Sequence, residues 1–197
     1  MGEFQVYGGA QLFVFVCRKW FPQKCMHAGK GTGGMSDSNR IPLEERAEKL
    51  IDYWRGKKPG GKLPGRGHID PTEIPDLLPH IGLIDVIGSG SDFRYRLLGT
   101  HLNQVFGEDF TGAKVSETKI GEYGDFLIDL YRSALSASGP IVSDSIFEFR
   151  EKNHLKIRRI LLPLARDGKE VDMILFMNIF RTRNDLEVIA ARYRRGM

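Results

Sequence analysis

Residues 81–100 read IGLIDVIGSGSDFRYRLLGT, two apolar runs on either side of a turn rich in glycine and serine. The first run, Ile81–Ile87, is a strand candidate, and residues 88–92 supply the turn. The second run alternates apolar and charged residues, with Phe93, Tyr95 and Leu97 against Arg94 and Arg96. This period of two is typical of a half-buried strand, so the stretch predicts an antiparallel hairpin.

The remainder of the chain adds a long helix and three more strands. Apolar residues recur at spacings of three and four over 121–138, and Gly139-Pro140 ends that helix. Three strand candidates follow, at Ile141–Phe149, His154–Leu164 and Val171–Phe180. Strands on both sides of a helical segment predict an α+β domain, with helices covering one face of a five-stranded antiparallel sheet.

A second helix is expected ahead of this body. Leu43, Ala47, Leu50, Ile51 and Trp54 form one apolar stripe at helical spacing. Val171–Phe180 and the segment Ile160–Leu164 are apolar at nearly every position, which predicts cover on both faces of the sheet. The N-terminal helix, or a second subunit, is therefore expected to cover the outer face.

The two ends of the chain differ in composition from the body. Residues 1–34 and 181–197 each carry a net charge of +3, whereas the 146 residues between them hold 20 cations and 22 anions. Basic ends around a nearly neutral body argue against sequence-specific nucleic-acid binding. We expect residues 1–34 to be a leader or linker without a core of its own, 35–62 an amphipathic helix and linker, 63–180 the main domain, and 181–197 a basic helix or tail.

Several chemical classes can be set aside. Cys17 and Cys25 both precede the body, so the body has no disulfide framework, four-cysteine zinc site or thiol nucleophile. The histidines lack metal-like spacing, no serine sits in a G-x-S-x-G turn, and no acid–base carboxylate pair can be named. No export signal or membrane-spanning run is recognisable, so a cytoplasmic location is expected.

The hairpin and its surroundings carry a resemblance to a known family. The residues that carry it are Leu63–Arg66, Ile69–Pro71, Leu77–Val86, Phe93–Thr100, Thr111-Gly112, Leu162–Leu164 and Asp167-Gly168. Over about residues 43–180 the chain resembles the PAS superfamily, and within it a bacterial PAS-like family of small single-domain proteins. The resemblance implies a five-stranded antiparallel sheet with helices cupped over one face.

This resemblance also implies a cavity between the sheet and the helices of residues 100–135. Core aromatic and aliphatic residues are then candidates for its lining: Tyr95, Leu97, Phe106, Phe126, Leu130, Phe147 and Phe176. It further implies a homodimer formed through the N-terminal helix, with Leu43, Leu50, Ile51 and Trp54 as interface candidates. The resemblance does not identify a cofactor. Members of this superfamily that attach a flavin or a chromophore use a cysteine, which the body lacks. Haem-binding members usually present a helical histidine, and His101 is the candidate for that role.

Arg94 and Arg96 project from one strand face and admit two interpretations. They form a solvated face, with Asp85 and Glu148 as candidate ion-pair partners, or they clamp an anion. The sequence thus predicts a non-catalytic sensory or regulatory module that binds a small molecule and signals through a protein partner. A ligand-free dimeric adaptor and a small pocket enzyme of the isomerase or dehydratase type are the alternatives.

Overall fold

The computed structural model describes residues 5–7, 10–16, 43–118, 122–146 and 156–181. Its centre is an antiparallel sheet in the order β1-β2-β5-β6-β7-β3-β4. The strands are β1 Gln5–Tyr7, β2 Ala10–Val16, β3 Ile81–Ile87, β4 Asp92–Leu98, β5 Ile141–Ile146, β6 Lys156–Leu164 and β7 Met173–Arg181. The helices are α1 Leu43–Gly56, α2 Thr100–Phe106 and α3 Glu122–Leu135. Short 3₁₀ turns connect several of these elements.

The predicted hairpin is confirmed as β3 and β4, joined by a turn with positive φ at Gly88, Ser89 and Gly90. The alternation predicted for β4 is wrong at its end. Leu83 pairs with Leu97 and the next residue of β3, Ile84, pairs with Tyr95, so Arg96 is an extra residue in the ladder. Such a bulge reverses the side-chain alternation beyond it.

The bulge decides which residues of β4 face the core. Leu97 is 44% exposed, whereas Leu98 is 8% exposed and takes the core position. The prediction that Leu97 lines an internal cavity is therefore wrong.

The outer face of the sheet is covered by α1, as the apolar runs of β6 and β7 predict. Trp54 and Leu50 are completely buried against residues of β6 and β7, among them Ile160, Leu162 and Leu175. The indole nitrogen of Trp54 donates a hydrogen bond to the carbonyl of Pro163 at 3.0 Å. Burying side chains of this size contributes about 2–3 kcal/mol each. This contact fixes α1 on the sheet.

The placement of α1 corrects the predicted dimer interface. Leu50, Ile51 and Trp54 are at most 7% exposed because their own chain's sheet covers them. They therefore have no surface left for a second subunit, and the prediction of a dimer interface on these three residues is wrong. The side chain of Leu43 lies outside the described part of the chain.

The inner face is covered by α2 and α3. Leu130 and Ala134 of α3 are fully buried against Ile84, Ile157 and other residues of the sheet. The α+β fold with helices cupped over one face and α1 on the other is confirmed.

The N-terminal segment has more structure than expected. We predicted residues 1–34 as a leader or linker, yet β1 and β2 lie within it, and β2 pairs with β5 from Phe13↔Asp144 to Val16↔Ile141. They extend the predicted five-stranded sheet to seven strands. The predicted C-terminal basic helix, from residue 182 onward, lies outside the described residues.

Candidate functional site

A cavity lies between the concave face of the sheet and α3. Its volume is about 30 Å³. Ten residues line it: Tyr95, Phe106, Phe110, Thr118, Tyr123, Leu127, Tyr131, Arg159, Phe176 and Asn178. Because one water needs roughly 10–15 Å³ of cavity volume, the cavity has room for a molecule of only a few heavy atoms.

Two buried phenols form part of the wall. Tyr95 comes from β4 and Tyr131 from α3, and they are 5% and 3% exposed. Burial, together with the neighbouring Tyr131, raises the pKa of Tyr95 well above its ordinary range. Burial also raises the pKa of Tyr131 to about 12, although the Arg159 cation opposes the shift. Both hydroxyls therefore keep their protons at neutral pH and can act as hydrogen-bond donors.

The local backbone holds Tyr95 in this position. The segment after α2 runs beside the outer edge of β4, where the Tyr95 amide donates to the carbonyl of Ala113 at 3.0 Å. The Gly112 amide in turn donates to the carbonyl of Tyr95 at 2.6 Å. Gly112 adopts a positive φ of 89°, which glycine reaches without steric cost. This pairing also shields the edge of the sheet at β4.

The most unusual member of the wall is Arg159, a charged residue that is only 1% exposed. Its guanidinium donates to the Ser145 hydroxyl at 2.7 Å and to the Tyr123 hydroxyl. It also lies over the rings of Tyr123 and Phe126, at 5.4 and 5.5 Å from their centroids. Among the described residues, no carboxylate lies within ion-pair distance of it. The positive charge is hydrogen-bonded but is not neutralised by that part of the protein.

Sheet register places Arg159 in a polar row that crosses three strands. Arg159 pairs with Ser143 of β5 on one side and with Asn178 of β7 on the other. Directly opposed residues of antiparallel strands point to the same face. The Ser143 hydroxyl oxygen and the Asn178 side-chain oxygen are buried and have no hydrogen-bond partner among the residues that the structure describes. The concave face therefore combines a buried cation with two unsatisfied polar groups.

A family model described as "PAS domain" matches residues 44–177, about two thirds of the chain. The chain belongs to the PAS family.

No curated protein matches this PAS domain. Among solved structures it is similar to a chain titled "Structure of an RNA-binding Light-Oxygen-Voltage Receptor", at 15% identity and a TM-score of 0.40. That match covers 84% of this chain and 42% of the other, so the PAS domain spans less than half of that receptor chain. No helix among the described residues is long and apolar enough to cross a membrane.

The structure brings together part of the cavity set predicted for the PAS domain. Tyr95, Phe106 and Phe176 line the cavity. Phe126 lies against the Arg159 guanidinium, and Leu130 is fully buried in the surrounding core without lining the cavity. Phe147 lies outside the described residues, and Leu97 points to solvent, as described above.

The anion clamp predicted at Arg94 and Arg96 does not reach the cavity. Both residues are exposed, and Arg96 pairs with Asp85 at 3.4 Å, as the alternative interpretation predicted. The arginine that faces the cavity is Arg159, which the sequence interpretation missed. Ile157, Arg159 and Leu161 alternate on one face of β6, and this pattern would have indicated a buried arginine. The neighbouring Arg158 and the apolar run of residues 160–164 interrupt this alternation in the sequence and make it difficult to recognise.

His101, the histidine considered for haem, does not line the cavity. It lies in α2, with its ring centroid 4.5 Å from that of His80 and 6.4 Å from that of Phe180. His80 accepts a hydrogen bond from Arg46, provided that its Nε2 is unprotonated. Burial, followed by the charges of His101 and Arg46, lowers the pKa of His80 to about 4. Among the described residues, no cluster of three metal-ligating side chains exists.

Proposed function

We propose that this PAS domain is a non-catalytic sensory module that holds a small molecule in the cavity and passes the signal on through protein contacts. The observation that supports it is the composition of the cavity wall. Polar groups converge there on an otherwise apolar space: the Arg159 cation, the hydroxyls of Tyr95 and Tyr131, and the unsatisfied amide oxygen of Asn178. A small number of placed polar groups in an apolar wall is the ordinary composition of a ligand site.

The same wall argues against the pocket-enzyme alternative. A general acid or base at neutral pH needs a pKa near 7. The titratable residues that line the cavity among the described residues are tyrosines and an arginine, with no histidine or carboxylate. Tyr95 and Tyr131 have raised pKa values and stay protonated. These groups bind and orient a molecule, and they offer no acid–base pair for chemistry upon it.

A ligand acts on such a module only by binding one conformation or assembly better than another. The wall draws on β4, α2, α3, β6 and β7, so a bound molecule would contact both the sheet and the helices over it. A change in how α3 packs on the sheet would alter the exposed side of that helix. We propose that a protein partner in the cytoplasm reads this change.

Native mass spectrometry of freshly purified protein, followed by denaturation, tests the proposal. We expect a stoichiometric adduct, either retained through purification or formed when small molecules are added at millimolar concentration, that is released on denaturation. Leu127→Phe enlarges a lining residue and should abolish the adduct, whereas Leu130→Met changes a buried residue outside the lining and should retain it. A clean ligand-free spectrum of the wild-type protein, together with no binding of added small molecules, would contradict the proposal.

The small size of the cavity keeps the ligand-free adaptor as a second candidate. At about 30 Å³ the space lies far below the volume that drug-sized ligands occupy. The adaptor would be a homodimer, and its contacts would have to use surfaces other than the buried stripe of α1. Leu78 and Leu97 are the large apolar residues exposed in the described part of the chain. Analytical ultracentrifugation of wild type and Leu97→Ser tests this: a tight dimer weakened by L97S supports it, and a monomer contradicts it.

A further inference from the structure

The cavity contains a cation whose counter-ion is not found among the described residues. Arg159 is 1% exposed, and among the described residues its guanidinium contacts two neutral hydroxyls and two aromatic rings. Moving a charged group out of water is costly unless an opposite charge accompanies it. Arg158, the next residue of the same strand, shows the contrast: it pairs with Asp144 through two bonds of 2.8 and 2.9 Å on the opposite face.

The groups around Arg159 favour an anion. The hydroxyls of Tyr95 and Tyr131 stay protonated and are hydrogen-bonded to each other, so one of the two protons is free to be donated to a ligand. The Asn178 amide, whose oxygen has no partner, can turn about its last torsion and present its nitrogen instead. A guanidinium and several neutral donors are the groups that recognise a carboxylate.

The remaining lining residues determine the size and polarity of the part of the ligand that lies beyond its carboxylate. Phe106, Phe110, Leu127 and Phe176 provide apolar wall. The volume of about 30 Å³ admits only a few heavy atoms. A carboxylate head on a very short alkyl group fits both constraints.

We propose that the cavity binds a short-chain monocarboxylate of formate to propionate size, whose carboxylate neutralises Arg159. This inference rests on the proposed function and names its ligand class. Because so small a molecule has few atoms with which to bind, the dissociation constant is expected at about 0.1–10 mM. A site of that affinity responds to concentration changes of an abundant metabolite.

Thermal unfolding at constant ionic strength tests the charge requirement. Formate, acetate and propionate are compared with acetamide, the neutral molecule of acetate's shape. At tenfold excess over the dissociation constant, an anion should raise the Tm of the wild-type protein by about 3–6 °C, and acetamide should not. Saturation-transfer NMR on the acetate methyl group reports binding directly.

Three variants complete the test. Arg159→Gln should weaken acetate binding at least tenfold, and Arg158→Gln, the matched control one residue away, should leave it unchanged. Asn178→Asp places a carboxylate opposite Arg159 in the sheet register. We expect N178D to raise the Tm without added anion and to lose the response to acetate. The N178D result tests the proposal even if R159Q fails to fold.

The outcomes separate this inference from the proposed function. Equal acetate responses in wild type and R159Q, or no response in wild type, would overturn the carboxylate assignment. If acetamide or another neutral molecule binds wild type and R159Q equally, the proposal that the cavity binds a small molecule is supported. The proposal that this molecule is a carboxylate is then contradicted. If no molecule binds and native mass spectra are clean, both fail.

Discussion

Replacement of Arg159 by methionine should stabilise the protein in the absence of any bound anion. Methionine has an unbranched and flexible side chain, so it fills the space of the arginine stem and adapts to part of the guanidinium's space without a charge. The substitution removes the cost of keeping a positive charge away from water. It also removes every favourable contact that the guanidinium makes, and the balance decides the sign.

The substitution loses the hydrogen bonds from the guanidinium to the hydroxyls of Ser145 and Tyr123 and its contacts with two aromatic rings. Against these losses stands a desolvation cost of several kcal/mol for the ion. Buried charges replaced by apolar residues of similar volume are often neutral or stabilising by about 1–4 kcal/mol. We expect a gain in unfolding free energy of about 1–2 kcal/mol.

Urea denaturation followed by circular dichroism measures this difference. With a slope of about 2 kcal/mol/M for a domain of this size, the midpoint should rise by about 0.5–1 M. Arg158→Met is the matched control: it removes a surface pair with Asp144 and should cost no more than about 1 kcal/mol. Saturating acetate should stabilise wild type and leave R159M unchanged. If R159M is destabilised by more than about 2 kcal/mol, the charge is already satisfied within the chain, and the reasoning is refuted.

Three further predictions concern the framework around the cavity. Trp54→Ala should lower the unfolding free energy by about 3–5 kcal/mol in urea melts, because it empties a fully buried site and leaves the Pro163 carbonyl without its donor; a loss below 1 kcal/mol would show that α1 is not fixed by this residue. Gly82→Ala should cost about 1–3 kcal/mol and shift the aromatic NMR signals, because the new methyl group would lie 2.4 Å from the Phe176 ring in the cavity wall; unchanged spectra would contradict this close packing. His80 has its pKa lowered from 6.5 to about 4, so the unfolded chain binds its proton first as the pH falls. Stability should therefore decrease between pH 6.5 and 4, by about 1–2 kcal/mol after allowance for partial exposure, and His80→Gln should flatten that part of the stability-against-pH curve; an equal slope in both proteins would assign the effect to other groups.

The sequence by itself determined the order and type of the main elements. The hairpin at residues 81–98 and the helix ending before Gly139 follow from short-range periodicity and turn residues, which act within a few positions. The unbroken apolar runs of β6 and β7 also required cover on both faces, and α1 provides it with Trp54.

Tertiary structure alone decided what lines the cavity. The bulge at Arg96 depends on pairing with β3, and it moves Leu97 to solvent against the alternation of its own strand. The cavity composition depends on the register of β5, β6 and β7, which places Ser143, Arg159 and Asn178 in one row. Cross-strand contacts join residues distant in sequence, so the local alternation of Ile157, Arg159 and Leu161 gives only a weak indication that Arg159 is buried and the neighbouring Arg158 is partly exposed.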